Sequence, residues 1–282
     1  MGLRINTNVA SLNAQRNLRG TRLAMNSSLE KLSSGQRINR AGDDAAGLAI
    51  SENLKAQIRG LKQAGRNAED GISLVQIAEG SLSEVSNIMI RLRELAVQAA
   101  SDTIGQTERK FLNVEFEQLV SEVDRIANST EFNRVPLLNG TGAIFDIQIG
   151  TRNDPITDRL TFDASSADVN IAALGLNLAS VADKISAQNS LSSIDQAIVS
   201  VSGIRADFGA LQNILQSTIN NIEVSRENLS SANSRVRDTD IASETAELTR
   251  NNILMQAGTS VLAQANSSTK NALSLIQAAA QG

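Results

Sequence analysis

"AQNSLSSIDQAIVSVSGIRADFGALQNILQSTINNIEVSRENL", residues 187–229, decides the fold. Ala187, Leu191, Ile194, Ile198, Val201, Arg205, Phe208, Gln212, Leu215, Ile219, Ile222, Arg226 and Leu229 advance by alternating steps of four and three over six heptads. That period keeps one apolar stripe on one face of a helix, and such a stripe requires partner helices. Proline, the strongest helix breaker, is confined to Pro136 and Pro155.

Towards the amino end the same rhythm returns. Leu54, Ile58, Leu61, Gly65, Ala68, Ile72 and Val75 lead into Ala78, Leu82, Val85, Met89, Leu92, Ala96 and Ala99. Two three-residue steps meet at Val75, which reads as a stammer in the seam. The spacing predicts one helix over 44–100, about 85 Å long at ~1.5 Å per residue. A second helix is predicted over 107–127, with Leu112, Phe116, Leu119, Val123 and Ile126 on its stripe. "STEFNRVPLLNGTG" then breaks the pattern, and "AIFDIQIG" and "RLTFDAS" flank a turn, giving a β-hairpin near 143–163. Residues 163–180 read as loop, and "SSANSRVRDTD" at 230–240 loosens the returning helix.

The segment 241–282 carries a weaker stripe. Ile241, Leu248, Met255, Leu262 and Ile276 share one heptad position, with Thr269 as the exception. Its companion positions read as Thr245, Asn252, Thr259, Asn266 and Leu273, mostly polar. Between the first two helices lies "LSSGQRINRAGDDAAGLAI", residues 32–50. Gly35 is placed to end the first helix, Asp43 to cap the next, and Asp44 to sit in its first turn. Arg37 and Arg40 are placed to tie this joint to acids of the same or a neighbouring copy.

These periods predict a mainly α fold. It is a long antiparallel coiled-coil bundle with a small β-hairpin at the far end, and its terminal helices pair at the other end. The expected divisions are 1–43 and 236–282 for the paired termini, and 44–235 for the bundle with its hairpin.

Composition narrows the chemistry. Cysteine and histidine are absent, which excludes disulfides, thiolate nucleophiles, Cys/His zinc sites and histidine-based catalysis. Tryptophan and tyrosine are absent too, and all six phenylalanines lie between Phe111 and Phe208. No constellation of catalytic residues stands out, so an enzyme is not expected, nor any cofactor. Eleven basic against four acidic side chains give residues 1–66 a charge of +7, and the remainder carries −11. Dispersed arginines without interleaved aromatics speak against nucleic acid, and for complementarity between the ends or between copies. No run of ~18 apolar residues supports membrane insertion, and no cleavable signal peptide is read at the start.

The chain resembles bacterial flagellin. The motifs that carry the resemblance run in family order: "RINTNVASLNAQRNL" at 4–18, "LSSGQRINRAGDDAAGLAIS" at 32–51, "AEDGISLVQIAEGSLSEV" at 68–85, "RLRELAVQAAS" at 91–101 and "EVDRIANSTEFNRVPLLNG" at 122–140. "NLSSANSRVRDTDIASETAELTRNNILMQAGTSVLAQAN" at 228–266 follows near the other end. The resemblance implies a subunit exported unfolded through the flagellar type III channel and polymerised into an extracellular filament for swimming. The terminal helices would form its inner tube. Only about forty residues, 140–180, separate the two flanking parts, so this is a short form without large outer domains. Implied partners are other copies of the chain, an export chaperone on 241–282, the filament cap and the hook–filament junction proteins. By resemblance Arg91, Arg93, Glu94, Leu95 and Glu115 form a subunit-packing patch that Toll-like receptor 5 also recognises on released monomer. The carboxy end, "NSSTKNALSLIQAAAQG", departs from the family by lacking the Pro-Gln often seen after Ala-Asn. A secretion needle or translocator-like helical hairpin is the competing reading, weakened by the lack of a long apolar segment.

Overall fold

A computed structural model describes residues 7–279. Five helices dominate: α1 (Val9–Ser34), α2 (Ala45–Ala100), α3 (Gln106–Ser129), α4 (Lys184–Arg237) and α5 (Ile241–Ala279). Between α3 and α4 lie two antiparallel hairpins, β1 (Glu131–Phe132) with β2 (Val135–Pro136), and β3 (Ile144–Gln148) with β4 (Arg159–Asp163). The chain divides into two compact units, one of residues up to Ala56 and from Leu229 on, the other Gln57–Asn228. The division falls within α2 and α4, rather than at the joint and near residue 236 where the sequence places it.

The Gln57–Asn228 unit holds the core. From α4 it takes Ala187, Ile194, Val201, Phe208 and Leu215, all on the predicted stripe. Along α2 a buried row runs through Ala64, Ala68, Gly71, Val75, Ala78, Leu82, Val85, Met89, Leu92, Ala96 and Ala99 in unbroken steps of four and three, with Leu74 and Leu95 buried beside it. The predicted stammer at Val75 is therefore absent. The two adjacent three-residue steps fall instead at Ile58, Leu61 and Ala64. Small residues explain the difference: Ala64, Ala68 and Gly71 leave a shallow face that receives the hairpin. A Cβ on Gly71 would lie 2.7 Å from Ile147 Cδ1, and Asn67 Nδ2 donates to the Gln148 carbonyl at 2.9 Å.

The β3/β4 hairpin occupies the predicted 143–163 region. Phe145 sits opposite Phe162 in its register, and the Phe162 ring meets Phe208 of α4 at 5.0 Å between centroids. These rings anchor the hairpin to α4 through aromatic area. The smaller hairpin turns on Asn133 and Arg134, both with positive φ of 50° and 65°. Two adjacent left-handed residues twist a tight turn in the same sense as its strands. This turn was not legible in "STEFNRVPLL", because arginine is a poor predictor of left-handed backbone.

Arg109, in the first turn of α3, is buried and caps the end of α2. Its Nε donates to the Ala99 carbonyl at 2.8 Å and its Nη2 to the Ser101 carbonyl at 2.8 Å. A guanidinium there satisfies carbonyls that a helix end leaves without partners, with charge of the favourable sign. Asn113 accepts from Val181 N at 2.9 Å and Ser180 Oγ at 3.0 Å, which pins the loop entering α4 to α3.

In the other unit α1 and α5 pack on each other. α4 stays helical through Arg237, so the predicted loosening from residue 230 does not occur. α1 ends at Gly35 in a left-handed conformation, φ 69°, as the sequence predicts.

Candidate assembly and recognition surfaces

The α1/α5 pair is antiparallel. Asn8 Nδ2 donates to the Ala265 carbonyl at 2.9 Å, a Cβ on Gly258 would stand 2.7 Å from Leu18 Cδ2, and Lys31 pairs with Glu244 at 3.7 Å. On α1 the covered or half-covered residues are Ser11, Ala14, Leu18, Thr21, Met25, Ser28 and Leu32, in steps of three and four, with Lys31 beside Leu32. On α5 they include Glu244, Leu248, Asn251, Met255, Gly258, Leu262, Ala265 and Thr269. Leu248, Met255 and Leu262 lie on the predicted stripe, whereas Ile241 is exposed. The side chain of Ile276 lies outside the described residues. The companion register differs from the sequence reading. Thr245, Asn252, Thr259 and Asn266 face solvent, and Glu244, Asn251, Gly258 and Ala265 take their place.

Small and polar residues keep this seam thin. Asn251 is 5% exposed, and its Nδ2 has no hydrogen-bond partner. A buried amide donor left unpaired costs about 1–3 kcal/mol. Meanwhile Val9, Leu12 and Leu23 of α1 and Ile253, Leu254 and Val261 of α5 remain exposed. Two helices alone cannot cover both sides of such apolar faces.

The joint between α1 and α2 is built as a crossover. Gln36 bridges Asp238 in antiparallel fashion, flanked by Arg37 N to the Arg237 carbonyl at 2.7 Å and Thr239 N to the Gly35 carbonyl at 3.0 Å. Arg37 also donates through Nη2 to the Val236 carbonyl at 2.7 Å, so it ties to backbone and not to an acid. Arg40 pairs with Glu30 at 2.9 Å, an acid of its own chain. The cap falls one residue later than predicted. Asp44 caps α2 by accepting from Gly47 N at 2.8 Å, and Asp43 accepts from Arg40 N and Asn39 N within the turn before it. The helix begins at Ala45, so its cap must be Asp44. Arg237 was missed altogether: it donates to Gln36 Oε1 and Ser51 Oγ and pairs with Glu52.

In the Gln57–Asn228 unit the sequence-predicted patch splits. Arg91 bridges Glu115 of α3 at 2.8 Å and Glu94 at 3.0 Å, and Arg93 pairs with Asp195 of α4 at 2.7 Å. Glu115 and then Glu94 raise the Arg91 pKa further above its ordinary value, and Asp195 does the same for Arg93. These five side chains lie at the surface. Leu95 is 0% exposed and belongs to the core, so it leaves the patch. Heptad geometry explains the correction: Leu95 is adjacent to the seam residues Leu92 and Ala96 and turns inward beside them.

Several carboxylates hold lowered pKa values because they cap turns or meet cations. Asp43 is lowered first by the Arg40 N–H, Asp183 by the Ser186 N–H, Asp163 by the Ser165 hydroxyl and Asp102 by the Lys184 ammonium. A folded-state pKa below the unfolded one adds stability above the unfolded pKa, and that stability is lost as pH falls through the folded value. No histidine titrates between pH 5 and 8. Thermal melts followed by circular dichroism should therefore be flat across that range and drop only below about pH 4.

Among the described residues no helix is long and apolar enough to cross a membrane. The amino part, residues 5–143, matches the model of the bacterial flagellin N-terminal helical region, and residues 191–276 match that of the bacterial flagellin C-terminal helical region. A flagellin of Halalkalibacterium halodurans is 45% identical over 97% of this chain and 99% of its own length. The flagellar filament 33 kDa core protein of Treponema phagedenis is 42% identical over 97% of this chain and 99% of its own. Among solved structures, the Bacillus cereus flagellin crystal structure superimposes with a TM-score of 0.50 at 33% identity, over 56% of this chain and 88% of that one. A putative flagellar hook-associated protein of Vibrio parahaemolyticus shares the fold, with a TM-score of 0.55 at 14% identity over 70% of this chain and 100% of that one. By both family models, and by relatives aligned over nearly its whole length, this chain belongs to the bacterial flagellin family.

Proposed function

We propose that the chain is the structural subunit of a bacterial flagellar filament, a homopolymer and not an enzyme. It is exported unfolded through the flagellar type III channel and polymerised outside the cell for swimming. The α1/α5 pair supports this reading most directly. Its seam mixes leucines and methionines with small and polar residues, yet both helices keep large apolar side chains exposed. Packing of neighbouring copies removes that surface from water, at ~25 cal/mol per Å², and repeats the gain at every subunit. A chaperone on α5 before assembly fits the same exposed stripe. Contacts with the filament cap and the hook–filament junction proteins fit a subunit that must start and finish a polymer. Seeded polymerisation of the purified full chain tests the assembly. Long helical filaments are expected, and a preparation that stays monodisperse under all seeding conditions refutes it.

Recognition of released monomer by Toll-like receptor 5 centres on Arg91 with Glu115, not on Leu95. Arg91→Ala should weaken binding to the receptor ectodomain at least about tenfold, the equivalent of ~1.4 kcal/mol, and unchanged binding rejects this surface.

A further inference from the structure

In the Gln57–Asn228 unit two groups of charged side chains outside the ion pairs lie at complementary places. Arg59, Lys62 and Arg66 occupy one face of α2, at steps of three and four, and all are exposed. None of them pairs with an acid; Arg66 reaches only the neutral Gln63 side chain. The stripe spans about 10 Å along the helix.

The second place is a groove between α2 and α3 of about 450 Å³, lined by Ile77, Gly80, Glu84, Ile88, Ile126 and Glu131 among others. Ile77, Ile88 and Ile126 line it beside polar side chains, and Ile77 is 42% exposed. Its rim is acidic. Glu122 is neutralised by Arg125 at 2.6 Å, while Glu84 and Glu131 have no cationic partner. The α2 side of the groove, from residue 77 to 88, runs about 16 Å, enough for the three-cation stripe. Gly80 keeps it open: a Cβ built there meets nothing within 4 Å.

We propose that this groove receives the Arg59–Lys62–Arg66 face of a second copy of the chain. The aliphatic stems of those side chains cover Ile77 and Ile88, and their charged heads meet Glu84 and Glu131. Charge complementarity argues for this occupant. Each subunit carries both halves, donor stripe and acceptor groove, on different parts of its surface. Such a heterologous contact propagates into a helical polymer when its rotation does not close. The inference rests on the proposed filament function and names one of its contacts.

Charge reversal with rescue tests it, in seeded polymerisation of the full chain at low and high salt. Lys62→Glu with Arg66→Glu should raise the critical concentration at least about tenfold, and Glu84→Lys with Glu131→Lys should do the same. Combining all four substitutions should restore most of the loss. Unmodified protein should lose affinity for filament ends as salt rises, because screening weakens exposed pairs. Gly80→Leu separates docking from folding. It fills open space on a helix, so the monomer should melt no lower than before, yet polymerisation should fall. Because the chain has no cysteine, mixing a Lys62→Cys copy with a Glu84→Cys copy should give a disulfide-linked dimer on oxidation of filaments only. Normal polymerisation of both reversal variants would assign the groove to another partner and overturn the proposal. So would absence of the cross-link in filaments. Failure of unmodified protein to polymerise would instead overturn the filament function itself.

Discussion

Removing residues 241–282 is expected to abolish polymerisation while leaving a soluble, folded helical protein. The truncation deletes α5, which supplies Leu248, Met255, Leu262 and Gly258 to the seam with α1. α1 then has no partner helix, and an isolated helix of its length is marginal in water. The core survives because all of its members, from Ala68 to Leu215, lie in the Gln57–Asn228 unit. The expected result has two parts: no filaments in a seeded assay read by electron microscopy, and a main thermal transition unchanged within about 2 °C. Filaments of normal length from the truncated chain would show that α5 is not part of the assembly surface. A collapsed thermal transition would show that the two compact units do not fold independently.

Replacing Arg109 by methionine should destabilise the Gln57–Asn228 unit by about 3 kcal/mol. Methionine keeps much of the stem volume but donates no hydrogen bond. Two carbonyls at the end of α2, those of Ala99 and Ser101, lose a charged donor. Hydrogen bonds to charged groups are worth ~1.5–3 kcal/mol each, and buried acceptors left unpaired add to the loss. The melting temperature should fall by roughly 6–12 °C for a domain of this size. Arg109→Lys should recover only part of the loss, because one ammonium cannot reproduce the planar fork that reaches both carbonyls. A melting temperature unchanged by Arg109→Met would mean that solvent satisfies the end of α2 and that the clamp is incidental.

Helices were legible where one stripe of large apolar side chains dominates. Ala187 through Ile222 on α4 and Ala78 through Ala99 on α2 show this, because period alone decides which face is buried. The same rule misplaced residues where the packing is small. The large side chains of Leu61 and Ile72 mark the seam by period, yet Gly71 carries the close approach to Ile147, since the hairpin needs room and not bulk. On α5 the choice of Thr245, Asn252 and Thr259 over Glu244, Asn251 and Gly258 could not be made from hydrophobicity. Both candidate rows are polar, and the outcome depends on Leu18 seating over Gly258.

The candidate surfaces were legible by motif more than by geometry. The arginines at 91 and 93 and Glu115 lie at the surface. The family resemblance adds Leu95 to the patch, but one residue on a helix turns the side chain by about 100°, and here Leu95 points into the core. Arg237 and the free cations at 59, 62 and 66 were invisible for a different reason. Their meaning depends on what is already paired, and pairing is a tertiary fact.

The central claim is that the exposed faces of α1 and α5 exist to be covered by other copies of this chain. Electron cryomicroscopy of the assembled polymer, at a resolution that separates side chains, tests it most directly. The account predicts a helical filament in which Val9, Leu12 and Leu23 of α1 and Ile253, Leu254 and Val261 of α5 are buried between subunits. A filament in which those six side chains face solvent, with subunits joined elsewhere, would contradict it.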